Sequence, residues 1–314
     1  MPELTLRGGE LDGLSLHYVA EGSGPPVLLI HGLGGFAESW RHNLPELGRQ
    51  ATVYALDLPG FGQSSKPLRR YSVGFLAEAL EGFSAAFEPV RPILVGHSLG
   101  GAVAVAYALA HPEKVDRLVL IGAVVPGFDY RPSWVYRLLS ARGVGELLAR
   151  LLWPGLIRAA LARCFARPLP AEVDFLVRSS YSARKSPAGQ AAFLSTLRGA
   201  RQEFIRDAGR YREALSVLEL PVLLIHGEQD PVVSLAHART VAGAFANGTL
   251  RVLDRCGHFP QIEHAATVNE WLAEFIEHSV PRLRNCAGDD PGRDAAACAE
   301  RVSRASVRSS SVCG

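Results

Sequence analysis

The sequence predicts an α/β protein built on a mostly parallel, doubly wound sheet. Three observations lead to this fold class: short apolar runs recur along the chain, helix-compatible segments separate them, and one run leads directly into a glycine-flanked serine turn. Apolar runs without alternation are typical of strands that are buried on both faces of a parallel sheet. The predicted strands cover residues 27–30, 53–56, 93–95, 118–121, 222–225 and, more weakly, 250–253.

Helix-compatible segments lie between the predicted strands. They cover residues 37–48, 72–87, 99–110, 234–246 and 265–278. Because a helix that connects two parallel strands makes a right-handed crossover, this alternation places helices on both faces of the sheet. Residues 4–7 and 14–19 are joined by a turn containing Gly and Asp, and they predict an antiparallel hairpin at the N-terminal edge.

The alternation of strands and helices is interrupted once, between residues 126 and 215. This segment contains no good strand and is rich in Leu, Ala and Arg, which predicts an inserted cap of short amphipathic helices. Residues 1–125 and 216–284 would then form one α/β domain. The insert carries 15 Arg and Lys against 7 Asp and Glu. Its surface is either a set of solvated helix faces or a lid that meets anionic ligands, an acidic carrier protein or a membrane surface.

The chain as a whole is nearly neutral, with 33 Lys and Arg against 31 Asp and Glu in 314 residues. This balance predicts no nucleic-acid partner. The longest apolar stretch, residues 102–110, is far shorter than the ~20 residues of a membrane-spanning helix, so no transmembrane segment is predicted. No signal peptide is visible, and the five cysteines lack the spacing of a metal site or disulfide framework. We therefore expect a reducing, cytoplasmic location.

The last segment, residues 285–314, is rich in Ser, Arg, Ala and Asp and has almost no large apolar side chain. Such a composition cannot bury enough apolar surface to offset the entropy of ordering the chain. We expect a disordered tail, in which Cys286, Cys298 and Cys313 are incidental rather than ligands.

The segment that carries chemistry is GHSLG at residues 96–100, which matches the pattern G-x-S-x-G. It follows the predicted strand 93–95 and opens the apolar segment 99–110, and this strand–turn–helix setting makes the pattern specific. A sharp turn there exposes the Ser98 hydroxyl at the carboxyl end of the sheet, where open α/β sheets place their ligands. Ser98 is therefore the candidate nucleophile.

A serine nucleophile needs a base, and the base needs an orienting carboxylate. His258 follows the last predicted strand, in a loop that precedes a helix, and is the candidate base. Asp230 follows the preceding strand and can reach the other imidazole nitrogen. Asp129 is the alternative carboxylate, and Glu228 is a weaker rival because it comes too early in its turn.

Negative charge that develops on a substrate oxygen needs preorganised N–H donors. One predicted donor is the N–H of Leu99, the residue after the nucleophile. The second is expected in the loop HGLGG at residues 31–35, with Leu33 preferred and Gly34 next. No phosphate-binding or dinucleotide-binding glycine motif and no metal-ligand cluster occurs, so no cofactor and no metal are predicted.

The order Ser98, Asp230, His258, with the HGLGG loop before it and DLPGFGQS at residues 57–64, resembles the α/β-hydrolase fold superfamily. The resemblance spans residues 4–280 and implies a lid at the position of the inserted segment. Epoxide hydrolases and haloalkane dehalogenases of this superfamily use Asp as nucleophile. The serine found here argues against both activities.

Two departures bear on the substrate that the resemblance implies. Superfamily members that hydrolyse C–C bonds of ring-cleavage products usually carry Gly-Asn-Ser at the elbow and a Gly-Pro-Gly oxyanion loop. This chain has His97 in the elbow and Gly34, Gly35 and Phe36 in the loop. It is most similar to small carboxylesterases and lipase-like esterases, which implies a serine hydrolase that cleaves small-molecule carboxylic esters through an acyl-enzyme.

Three alternatives to the ester hydrolase stay open. They are a C–C bond hydrolase of ring-cleavage products, a thioesterase or carrier-ester esterase that docks an acidic carrier protein at the basic cap, and a non-catalytic binding protein. Trp134 and Trp153 lie in the insert and are candidates for lining a substrate pocket.

Overall fold

A computed structural model of the chain describes residues 2–87, 90–128, 130, 133–151 and 154–277. In this part of the chain, eight strands form one sheet in the order β1-β2-β4-β3-β5-β6-β7-β8. The strands are β1 (Glu3–Thr5), β2 (Ser15–Glu21), β3 (Pro26–Ile30), β4 (Thr52–Leu56), β5 (Ile93–His97), β6 (Arg117–Ile121), β7 (Val222–Gly227) and β8 (Gly248–Leu253). The pairs β1–β2 and β2–β4 are antiparallel, and the remaining pairs are parallel. The predicted fold class and N-terminal hairpin are confirmed.

The helices of the described residues lie on both faces of the sheet and in one long insertion. They are α1 (Leu44–Leu47), α2 (Val73–Ser84), α3 (Leu99–Ala110), α4 (Trp134–Ser140), α5 (Val144–Leu151), α6 (Pro154–Ala162), α7 (Pro170–Arg184), α8 (Pro187–Arg206), α9 (Ala208–Ser216), α10 (Leu235–Ala242), α11 (Pro260–Glu263) and α12 (Ala265–Glu277). Short 3₁₀ turns cover Gly9–Leu11, Ala37–Trp40, Ala85–Phe87 and Pro112–Lys114.

The non-alternating strands are buried on both faces, as their composition predicts. Within β3, Leu28 and Ile30 join the core cluster that includes α2 and α3, whereas Val27 and Leu29 join the cluster that includes α1 and α12. All four side chains are fully buried. Each inner strand is therefore anchored to two cores, which fixes the carboxyl end of the sheet as a rigid platform.

The single helix predicted over residues 37–48 is wrong. The structure has a 3₁₀ turn at Ala37–Trp40 and a short α1 that begins at Leu44. Pro45 lies in the first turn of α1, where its missing N–H is tolerated, but a proline cannot continue a helix from the turn before it. Asn43, at the break, donates from Nδ2 to the Gln261 carbonyl at 3.2 Å and to Asn269 Oδ1 at 2.7 Å.

Helices α4–α9, called the cap here, lie between β6 and β7 in the described residues, where the sequence predicts an insert. The cap contacts the α/β body through an apolar cluster that contains Phe36, Ile157, Phe165, Val177 and Ile262. None of the helices described is long and apolar enough to span a bilayer. The predicted tail at 285–314 lies outside the described residues.

Candidate active site

Ser98 lies in a strained turn between β5 and α3. Its backbone has φ 54° and ψ −119°, a conformation that residues with a side chain rarely adopt. The turn is possible because its neighbours are glycines: a Cβ at Gly96 would lie 2.5 Å from the Gly100 carbonyl oxygen, and one at Gly100 would lie 2.3 Å from that of Ile30. The Ser98 N–H donates to the Ile121 carbonyl of β6 at 3.0 Å, which fixes the turn to the sheet.

The three predicted residues are brought together at this turn. Ser98 Oγ lies 3.0 Å from His258 Nε2, and His258 Nδ1 lies 2.8 Å from Asp230 Oδ2. With the ring proton on Nδ1, His258 donates to Asp230 and accepts from the serine hydroxyl, which is the arrangement that activates a serine nucleophile. His258 and Asp230 are buried, with 5% and 8% of their surfaces exposed.

The Asp230 carboxylate is held in its ionised form. Burial opposes ionisation, but nearby His258, the hydrogen bond with it, and the backbone N–H of Val233 together hold the pKa of Asp230 below its ordinary value. Asp230 Oδ1 accepts from the N–H groups of Val232 at 2.7 Å and Val233 at 2.9 Å. The rival Glu228 is exposed, and Asp129 lies outside the described residues.

The predicted oxyanion donors lie beside the nucleophile. Leu33 and Leu99 both line the cavity that Ser98 lines. A Cβ at Gly32 would lie only 2.9 Å from the Cβ of Ser98, so the HGLGG loop can approach the serine because that position has no side chain. Gly34 follows Leu33 with φ 73°, a conformation that favours glycine.

The cavity above Ser98 has a volume of about 350 Å³ and is mainly apolar. The cap supplies much of its wall: Tyr136, Thr196, Leu197, Ala200 and Phe204.

The structure describes one of the two tryptophans that are predicted to line a pocket, and that one does not line it. Trp134 is 73% exposed and is not among the cavity residues, whereas Tyr136 is. Two positions along a helix differ by ~200° in direction, so Trp134 points away from the cavity that Tyr136 faces. Trp153 lies outside the described residues.

Comparisons with known proteins identify the fold family. The family model described as alpha/beta hydrolase fold matches residues 25–265. The chain belongs to this family. A meta-cleavage product hydrolase from Pseudomonas fluorescens IP01 superposes on this α/β-hydrolase with a TM-score of 0.76 and 29% identity, covering 89% of this chain and 98% of that one.

Two of the curated relatives of this α/β-hydrolase are hydrolases with related names. The 2-hydroxymuconate semialdehyde hydrolase of Pseudomonas sp. (strain CF600) is 30% identical over 268 residues, which are 84% of this chain and 91% of the relative. The 2-hydroxy-6-oxo-2,4-heptadienoate hydrolase of Pseudomonas putida F1 is 32% identical over 273 residues, 82% and 92% of the two chains. Hydrolase activity is therefore supported at the level of the family. Neither of these two names describes an ester substrate.

Sequence reasoning missed a histidine that supports the base of this α/β-hydrolase. His97 Nε2 donates to the His258 carbonyl at 2.8 Å, and the two rings lie 4.9 Å apart. Burial, and then the proximity of His258, lower the pKa of His97 to about 3, so its ring is neutral at physiological pH. Nothing in the sequence identifies this partner, because the two residues are 161 positions apart.

A second missed residue, Glu263, ties the histidine loop to the cap. One carboxylate oxygen accepts from the N–H groups of Gly257 at 3.0 Å and Phe259 at 3.2 Å, on either side of His258. The other accepts from the N–H of Ala166 in the cap at 2.8 Å. The N–H of His258 itself donates to the cap carbonyl of Cys164 at 2.7 Å. The position of the base thus depends directly on the cap.

A third missed residue, Arg184 at the end of α7, lies beside the oxyanion loop. A Cβ at Gly34 would lie 3.5 Å from the Arg184 guanidinium carbon. The guanidinium donates to Ser180 Oγ and lies over the Phe193 ring, 4.9 Å from its centroid. Ser180 Oγ in turn donates to the Gly34 carbonyl at 2.9 Å. Burial lowers the pKa of Arg184 to about 10.

Proposed function

We propose that this α/β-hydrolase cleaves the carbon–carbon bond beside a ketone in small 2-hydroxy-6-oxo-dienoic acids, with Ser98 as nucleophile. The observation that carries the choice of an acid substrate is Arg184. Among the described residues no carboxylate lies within ion-pair distance of its guanidinium, which contacts a hydroxyl and an aromatic ring. A half-buried cation without a counter-ion is unfavourable, and a substrate carboxylate would supply one.

Arg184 is placed to orient such an acid. It lies next to Gly34 in the oxyanion loop, beside Leu33, which lines the cavity, although Arg184 is not itself among the residues that line it. A carboxylate that reaches Arg184 leaves the rest of a short conjugated chain extending over Ser98. The relatives named above support this substrate class, since their names describe 6-oxo dienoates and related semialdehydes.

In the proposed reaction, His258 Nε2 takes the Ser98 proton as Oγ attacks the ketone carbon. The N–H groups of Leu33 and Leu99 stabilise the oxyanion that forms. When the tetrahedral intermediate collapses, the C–C bond breaks and its electron pair moves onto the carbon fragment, which takes the proton from His258. The acyl group remains on Ser98. Water, deprotonated by His258, then releases it as a carboxylic acid.

A carbon leaving group must be able to accept the electron pair. The substrate reacts as its keto tautomer, in which the proton of the C2 hydroxyl has moved to C5 before Ser98 attacks. The electron pair left on C5 when the C–C bond breaks is then spread by conjugation onto the oxygen at C2, near the carboxylate end. A cation beside that end stabilises the developing charge. Arg184 would therefore contribute to turnover as well as to binding.

Ester hydrolysis is the second candidate, and the surroundings of the nucleophile favour it. The same residues would act in the same order, with an alcohol as leaving group, and the cavity wall of Leu197, Ala200 and Phe204 suits an apolar acyl chain. The elbow residue His97 and the loop residues Gly34 and Gly35 are the departures from C–C bond hydrolases noted above.

The two candidates are separated by assaying 2-hydroxy-6-oxo-hexa-2,4-dienoates and a p-nitrophenyl ester series in parallel. We expect higher kcat/KM on the dienoates, and loss of both activities in Ser98→Ala. Arg184→Gln should lower kcat/KM for the dienoates by about 100-fold, since a hydrogen-bonded charge pair contributes roughly 2–3 kcal/mol. It should lower ester hydrolysis far less, because a simple ester has no carboxylate for Arg184 to bind.

Arg178→Gln is the matched control, because Arg178 is on the same helix and exposed. The rate of inactivation by a serine-directed phosphonate reports whether the site of each variant is intact. Faster turnover of esters, with no effect of Arg184→Gln on either substrate class, would overturn the C–C proposal in favour of the esterase. A folded protein inert towards esters, dienoates and the phosphonate would leave only a binding role.

A further inference from the structure

We propose that the outer surface of helices α4 and α5 docks onto an anionic lipid bilayer. This surface, called the cap face below, consists of exposed apolar side chains: Trp134, Val135 and Leu138 on α4, and Val144, Leu147 and Leu151 on α5. Their exposure is large, at 73% for Trp134 and 58% for both Leu147 and Leu151. Large exposed apolar side chains clustered on two adjacent helices mark a site of interaction.

The apolar side chains of the cap face on α5 share one side of that helix. Val144, Leu147 and Leu151 are three and four positions apart and form a stripe along one side of α5. The opposite sides of the two helices are buried against each other: Leu139 is 7% exposed, and a Cβ at Gly145 would lie 2.1 Å from the Leu139 carbonyl oxygen. Nothing among the described residues covers the outer side.

The charges on the two helices and their connecting turn are positive. Arg142 in the turn and Arg150 on α5 are exposed and lie at the edge of the cap face that borders α8. The acidic side chain of this segment, Glu146, is engaged, because it accepts from Arg198 Nη1 at 2.7 Å and from the Gly143 N–H at 2.7 Å. The cap face is therefore bordered by two exposed arginines, neither of which makes an ion pair with a carboxylate in the described part of the chain.

This combination fits an anionic lipid surface better than other partners. Apolar side chains insert at the boundary between headgroups and acyl chains while arginines contact lipid phosphates, and tryptophan favours that boundary. A second copy docked on the same face would bring arginines against arginines, which is unfavourable. The apolar side chains also project outward rather than line a groove that could receive a peptide.

Docking at the cap face would place the substrate cavity next to the lipid. The inner side of α4 supplies Tyr136 and Arg137 to the cavity above Ser98, and Ile205, which is 70% exposed, also lines it. The entrance of the cavity would then lie at the lipid surface, where the apolar part of a substrate partitions. Binding itself does not depend on which bond the enzyme cleaves, so it can be tested separately from the proposed function.

The test is sedimentation of the full chain with vesicles of phosphatidylcholine alone or mixed with phosphatidylglycerol, at low and high salt. We expect binding to the anionic vesicles at low salt and weaker binding at high salt, because salt screens the arginines. Leu147→Ser combined with Leu151→Ser should weaken partitioning about tenfold or more, since two large apolar groups no longer enter the lipid. The fluorescence emission should shift to the blue on binding, and Trp134→Phe should reduce this shift.

The matched control is Leu68→Ser combined with Val217→Ser, which removes two apolar side chains that are 93% and 75% exposed outside the cap. The control should bind vesicles like the wild type, and thermal melts of both double variants should match it. Absence of binding at low salt, or equal loss in both double variants, would overturn the proposal. So would a dimer in sedimentation equilibrium that Leu147→Ser with Leu151→Ser abolishes. Retention by polyglutamate that needs the arginines but not the leucines would indicate an acidic protein partner instead.

Discussion

Replacing Glu263 by Gln tests whether the cap positions the base. The carboxylate accepts three backbone N–H groups, those of Gly257 and Phe259 beside His258 and that of Ala166 in the cap. Gln keeps the shape and one oxygen, so at least one of the three hydrogen bonds is lost and an amide NH₂ faces an N–H group. Glu263 is partly exposed.

The magnitude follows from the number of hydrogen bonds lost. A hydrogen bond to a charged group contributes about 1.5–3 kcal/mol, and partial exposure places this one near the low end, so we expect a loss of about 2 kcal/mol. That loss lowers Tm by about 3 °C for a chain of this size. Since the loop that carries His258 loses its attachment to the cap, we also expect the nucleophilicity of Ser98 to fall about tenfold.

The assay is the second-order rate of inactivation by a fluorophosphonate, which reports the Ser98–His258 pair without requiring the natural substrate. Glu270→Gln, an exposed position on the neighbouring helix α12, serves as control and should behave like the wild type. If Glu263→Gln lowers Tm but leaves the inactivation rate unchanged, Glu263 is only structural and the coupling of cap to base is refuted.

Three further outcomes are expected. Asp230→Asn should lower kcat by about 10³–10⁴-fold on any substrate that turns over, because His258 loses the acceptor that fixes its tautomer; a change below tenfold would contradict the assignment. Ser98→Gly should be more stable than Ser98→Ala by about 1–2 kcal/mol in urea unfolding. Both variants lack the hydroxyl, and only glycine is unstrained at φ 54°. Equal stability of the two variants would argue against strain at this position. The hydrogen bond to Asp57 raises the pKa of His17 above its ordinary value of 6.5. The pair of protonated His17 and Asp57 therefore stabilises the fold fully below about pH 6.5, and this stabilisation is lost as the pH rises through the pKa of His17 in the folded protein. Above the pKa of folded His17, the free energy of unfolding of the wild type should therefore fall relative to that of His17→Asn. If the two free energies change with pH in the same way, the interaction of His17 with Asp57 does not stabilise the fold.

The parts of the site that the sequence predicts are those set by local chemistry. The turn at Ser98 follows from the glycines on either side of it, because any larger side chain at Gly96 or Gly100 would collide with backbone. Asp230 and His258 could be placed because each follows an apolar strand, and parallel strands bring their carboxyl ends to one edge. The sheet itself follows from runs that are apolar on both faces.

Only the tertiary structure decides the contacts between distant segments. Whether His97 supports the loop of His258, whether Glu263 joins that loop to the cap, and whether Arg184 meets Gly34 depends on how the cap and the sheet pack, across separations of up to 161 residues. The direction of the Trp134 side chain could not be predicted from the sequence either, because an amphipathic pattern shows that a helix has an apolar side but not what lies against it. The sequence by itself determined the sheet and the nucleophile turn, through short-range sterics and burial. Packing of the cap decided what surrounds them.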